Sequence, residues 1–116
     1  MTTLSIQQWN SLLSGTGLAA EVSPSSQDYF AFVVVNASNP IKYINSSEIS
    51  NVQFWIRSYE IPRNYVEGEL DVSEDELVNS IHLKQILGKE ELERKLSKFI
   101  EDFNLLVPEW RCRNPL

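Results

Sequence analysis

The chain has 116 residues and a formal net charge of -6, with 42% hydrophobic and 22% charged residues. These proportions belong to an ordinary globular protein and exclude a disordered, collagenous or repeat chain. The length suits a single domain, 1–116, with one packed core, and the lone cysteine, Cys112, excludes an internal disulfide framework.

In chain order, Ser5 and Gln8 stand at capping-box spacing, so that the serine oxygen accepts from a free amide while Gln8 reaches back. They predict a helix over 6 to 13, with Ile6, Trp9, Leu12 and Leu13 at helical spacing and Gly15 ending it. Residues 15 to 28, rich in Gly, Ser, Thr and Pro, read as a surface connection. The run 29 to 35 is apolar on both alternating sets, which a strand tolerates only with both faces covered. A turn over 36 to 40 and a short strand over 41 to 44 follow.

From Val52 the pattern alternates, with Phe54 and Ile56 on one side and Trp55, Arg57 and Tyr59 on the other, until Pro62 stops it. Alternation resumes with Val66, Gly68, Leu70 and Val72, predicting a fourth strand whose acids suit a sheet edge. Ser73 and Glu76 form a second capping box, predicting a helix to about Leu87 that Gly88 ends. Leu92, Leu96, Phe99, Ile100 and Phe103 mark a final amphipathic helix over about 90 to 106, and Trp110 is expected to pin the tail. The order α-β-β-β-β-α-α gives an α+β fold, an antiparallel four-stranded sheet with helices packed on one face.

The first fifteen residues lack the basic region and apolar run of a secretory leader. No apolar stretch approaches the ~18 residues that a membrane span needs. A cytoplasmic protein is expected.

Charge carries the functional signal. Between 60 and 76 stand seven acids, Glu60, Glu67, Glu69, Asp71, Glu74, Asp75 and Glu76, against Arg63 alone, while nine acids balance nine bases elsewhere. Such a field repels nucleic-acid phosphates and anionic membranes and attracts a basic protein. The aromatic and basic side of the third strand, with Trp55 and Tyr59, offers a docking face if no helix covers it.

Catalytic sets do not emerge. His82 has no metal-ligand partner at a readable spacing, the four glycines form no phosphate-binding loop, and Cys112, though between Arg111 and Arg113, has no identified base. Asp71, Ser73 and Asp75 have the first spacings of a calcium loop, but Glu76 stands where Gly is needed and His82 where a bidentate Glu belongs.

The expected function is therefore a small protein-binding module and not an enzyme, with no cofactor, no metal and neither nucleic acid nor membrane as partner. Its contact residues are Glu67, Glu69, Asp71, Glu74, Asp75, Trp55 and Tyr59. An inhibitor, an immunity-type protein or a chaperone-like partner of a basic protein fits this description. The alternative is a calcium-responsive regulator using carboxylates of the same segment.

Overall fold

A computed structural model describes residues 3–39, 51–67 and 77–112, with only the backbone at 66 and 67. In chain order these residues form α1 (Ile6–Leu13), β1 (Leu18–Val22), β2 (Tyr29–Ala37), β3 (Gln53–Pro62), α2 (Arg63–Glu67), β4 (Val78–Leu87) and α3 (Lys89–Leu96). A 3-10 turn (Phe103–Leu105), β5 (Val107–Pro108) and a second 3-10 turn (Glu109–Arg111) complete them. The strands make one antiparallel sheet in the order β4-β3-β2-β1-β5. The α+β class and the antiparallel sheet agree with the sequence reading; the details differ.

Helix α1 forms as its capping residues dictate. The amide of Gln8 donates to Ser5 Oγ at 3.1 Å and Ser5 N donates to Gln8 Oε1 at 2.9 Å. At the other end Gly15, with φ of 96°, donates to Leu12 O, and Thr16 N donates to Ser11 O. This 6→1 and 5→2 pair closes the last carbonyls of the helix. Gln8 also donates through Nε2 to Phe103 O at 2.7 Å and Leu106 O at 3.2 Å, fastening α1 to the C-terminal segment.

One face of the sheet carries the main core. Leu18, Val33, Val35, Phe54, Ile56 and Ile86 meet Leu12 and Leu13 of α1 and Leu92 and Leu96 of α3. Trp9 lies 5.2 Å from Phe54, ring to ring. The opposite face has its own cluster, Ala19, Phe30, Phe32, Val34, Tyr59 and Ile61, against which Leu77 and Cys112 pack. Arg63 places its guanidinium 4.3 Å over the Phe30 ring. Both apolar sets of β2 are thus covered, as its continuous run requires.

Four elements depart from expectation. Residues 18 to 22 form β1, not a connection. Residues 63 to 67 form helix α2, which takes in Val66 and Glu67 at the start of the strand expected from Val66. The helix expected from 73 to 87 is replaced over 78–87 by β4. Its pairing with β3 is Glu60↔Val78, Ser58↔Ile81, Ile56↔Leu83 and Phe54↔Ile86, so that β4 takes one extra residue twice. Asn79 and Gln85 sit in these bulges with φ of 53° and 57°. Two bulges turn a two-residue repeat into apolar steps of three, two and three, which imitates a helix.

The final helix stops early. Ser97 closes α3, Phe99 N and Ile100 N both donate to Leu96 O, and Asp102, with extended backbone, caps the first 3-10 turn through Asn104 N at 3.0 Å. Within α3, Glu91 pairs with Arg94 and lies 3.8 Å from Lys95. Trp110 does not pin the tail, since it is 80% exposed, and Cys112 packs inward instead. The expected strand over 41 to 44 and the residues 68 to 76 lie outside the described residues.

Candidate functional site

Registers place four strand ends together. Val22 pairs with Ala31, Tyr29 with Pro62 and Glu60 with Val78, so β1 and β3 end, and β2 and β4 begin, at one end of the sheet. The acidic segment leaves the sheet at Pro62 and rejoins it at Leu77, at this same end.

Glu60 anchors that end. Its side chain, 7% exposed, accepts from Ser25 N at 2.7 Å, from Ser25 Oγ at 2.8 Å and from Asn79 Nδ2 at 2.6 Å. Burial alone would raise its pKa, but the Asn79 and Ser25 hydrogen bonds outweigh it and hold the carboxyl below the usual carboxylate range. Glu60 is therefore structural and leaves the acidic surface. The remaining acids of the segment, Glu67, Glu69, Asp71, Glu74, Asp75 and Glu76, are six with no base among residues 67 to 76. Sixteen acids less these six leave ten, against ten bases, so residues 67 to 76 alone equal the net charge of the chain.

Trp55 and Tyr59, singled out from sequence, share the second face of the sheet. Tyr59 is 1% exposed, with its ring 5.7 Å from Phe32, and is a packing residue and not a presented one. Burial pushes its phenol pKa up, Cys112 and Glu109 adding to the shift while Arg57 opposes it. Trp55 is half-buried and makes an edge contact with His82 at 5.4 Å. His82 pairs in register with Arg57. The lone histidine, the lone cysteine, Arg57 and Glu109 thus gather round one sheet face, which spacing along the chain did not reveal. Of the remaining expected contact residues, Glu67 has only its backbone described, and Glu69, Asp71, Glu74 and Asp75 lie outside the described residues.

Gly17 fixes how the C-terminal turn meets this face. Glu109 N donates to Gly17 O at 3.0 Å. A Cβ on Gly17 would stand 2.6 Å from the Glu109 carboxyl and 2.8 Å from Asn36 Nδ2. The Glu109 carboxyl, half-buried there, has its pKa raised by burial. The Glu109 carboxyl and the Asn36 amide are the far ends of side chains that can turn aside, so Gly17→Ala is expected to cost about 1 kcal/mol or less. A thermal melt checks this, and a large drop in the midpoint would mean that the Glu109 and Asn36 side chains cannot move aside.

Beside β1 lies a groove of about 720 Å³, bounded by Glu21, Val22, Phe99, Glu101, Asp102 and Leu105. Among the described residues its lining holds three acids and no base. Leu105 is 51% exposed on its wall. Sequence reading missed the groove, since Glu21 lay in a presumed loop and Phe99 on a presumed continuous helix. Among the described residues no group of three His, Cys, Asp or Glu could hold a metal ion, and no helix is long and apolar enough to cross a membrane. Compared with protein-family models, curated proteins and solved structures, the chain matches none.

Proposed function

We propose that the chain is a protein-binding module that takes a basic partner through the acidic segment, as an inhibitor, immunity-type protein or chaperone-like partner does. The observation that carries this reading is the concentration of the whole net charge in residues 67 to 76, beyond the structural Glu60. Like charges packed into ten residues contribute nothing favourable to the fold, so their clustering favours a role outside it. A compact negative block attracts a cationic surface at long range and raises the association rate, and toward a nuclease-like target it imitates phosphates.

A pull-down from native lysate names the partner, and kinetics with that partner test the reading. The triple variant Glu67→Gln, Glu69→Gln, Asp71→Asn is expected to fold as the parent does. Its association rate at low ionic strength should fall by about tenfold or more, and the salt dependence of that rate should flatten. An unchanged rate with unchanged salt dependence would overturn the electrostatic reading.

A further inference from the structure

The second face of the sheet holds a donor without an acceptor. Tyr59 is 1% exposed in the cluster of Phe32, Val34 and Ile61, and its hydroxyl has no hydrogen-bond partner among the described residues. A buried O–H left unmatched weakens the fold, and the same ring without its oxygen, as phenylalanine, would not. Packing therefore explains the ring of Tyr59 and leaves its oxygen unexplained.

The neighbour of that oxygen is a thiol. Glu109 N donates to Gly17 O at 3.0 Å and Cys112 N donates to Glu109 O at 3.1 Å, so the second 3-10 turn is seated on the sheet and carries residue 112 back to it. The half-buried Cys112 side chain packs against the cluster that contains Tyr59. Of the charges acting on the phenol, that of Cys112 outweighs those of Arg57 and Glu109, and the Arg57 guanidinium lies 5.8 Å from the ring centre. A reduced sulfur is a weak acceptor, and Cys112 does not serve the phenol as one. An oxygen bonded to that sulfur is a better acceptor and reaches one bond further.

We propose that Cys112 is a site of oxidation by a hydroperoxide, and that the Tyr59 hydroxyl holds the product by donating to the oxygen placed on the sulfur. The Cys112 thiolate attacks one oxygen of hydrogen peroxide. The S–O bond forms as the O–O bond breaks, the sulfur gives up two electrons, and the other oxygen leaves as hydroxide, which takes a proton from solvent to become water. The product is a sulfenic acid. Cations on this face of the sheet and its turn are Arg57 and, one residue before the thiol, Arg111; Glu109 is the acid. Burial keeps the phenol protonated, so Tyr59 meets the new oxygen as a donor. Cys112 is the only cysteine of the chain, so no second thiol of the same chain turns the sulfenic acid into a disulfide. Its half-buried place and the phenol hydrogen bond protect it from further oxidation. This inference concerns the second sheet face and stands apart from the acidic segment.

The test treats the full chain with hydrogen peroxide, traps sulfenic acid with dimedone and follows intact mass. The parent should gain one oxygen and then one dimedone adduct at Cys112, and Cys112→Ser should gain neither. Tyr59→Phe should lose its thiol at the parent rate, because the phenol acts on the product, but its sulfenic acid should pass to sulfinic acid about tenfold faster. A residue that only packs would leave that second rate unchanged. In the parent itself, carbon-labelled at tyrosine, the Tyr59 Cζ resonance should move on oxidation while those of the other tyrosines stay. Absence of a dimedone adduct, equal sulfenic acid lifetimes in the parent and Tyr59→Phe, or an unmoved Tyr59 Cζ resonance would each overturn the proposal.

Discussion

Phe103→Ala should lower stability by about 3 to 5 kcal/mol, whereas Phe99→Ala, four residues earlier on the same expected stripe, should cost about 1 to 1.5 kcal/mol. The difference follows from where α3 ends. A helix through residue 106 would carry both rings on one buried face, with comparable losses. In the structure α3 closes at Ser97, the chain turns, and Asp102 starts a separate 3-10 turn that directs Phe103 into the core at 1% exposure. Phe99 stays at the rim, packed against the cluster on one side and facing the groove on the other. Phe103 also fastens more than its own ring, since its carbonyl accepts from Gln8 Nε2. A cavity there loosens the attachment of α1. Against the ~5 to 15 kcal/mol that such a domain possesses, the larger loss shifts the thermal midpoint on the order of 10 °C or more. Urea melts of the two variants decide the matter. Equal losses would mean that the helix runs on, and the groove beside β1 would then be closed off.

The parts of the fold that sequence revealed share one property: their signals are local and regular. The Ser5 and Gln8 box, the Gly15 stop, the two-sided run of β2 and the alternation around Phe54 and Ile56 each place the expected element within a residue or two. The missed parts depend on contacts made elsewhere. β1 has two alanines and one glutamate among five residues and little intrinsic strand preference, and it becomes a strand because β2 and β5 pair with it. β4 reads as a helix because its bulges at Asn79 and Gln85 set Val78, Ile81, Leu83 and Ile86 three, two and three apart. A non-glycine residue at positive φ inside a strand has no sequence signature strong enough to announce it. The acidic segment was legible as charge. That Glu60 belongs to the core was not, because its partners Ser25 and Asn79 come from positions 35 and 19 residues away.

Glu60→Gln is the second large effect expected, a loss of about 2 to 3 kcal/mol at pH 7. The carboxylate accepts from the Ser25 amide and hydroxyl and from the Asn79 amide, and all these donors point at oxygen. A carboxamide presents its own N–H groups to at least one of them, so that a buried donor faces a donor. The effect has a sign in pH. The folded carboxyl titrates below its unfolded value, which is near the ordinary ~4.3 of a glutamate. Its contribution is therefore complete above that range and is lost as the pH falls through the lower, folded value. The gap between parent and variant should be full at pH 7 and should narrow by pH 3. Asn79→Gly separates the parts, because glycine accepts the φ of 53° without strain and removes only the amide donor. It should shift the Glu60 titration back toward the ordinary range while leaving the bulge in place. Urea melts at the two pH values, with a carboxyl titration followed by NMR, measure both. A gap that stays constant from pH 7 to pH 3 would mean that Glu60 is not held as the anion. The base of the acidic segment, two residues beyond it in sequence, would then lack the clamp that joins the connection after β1, the end of β3 and the first bulge of β4.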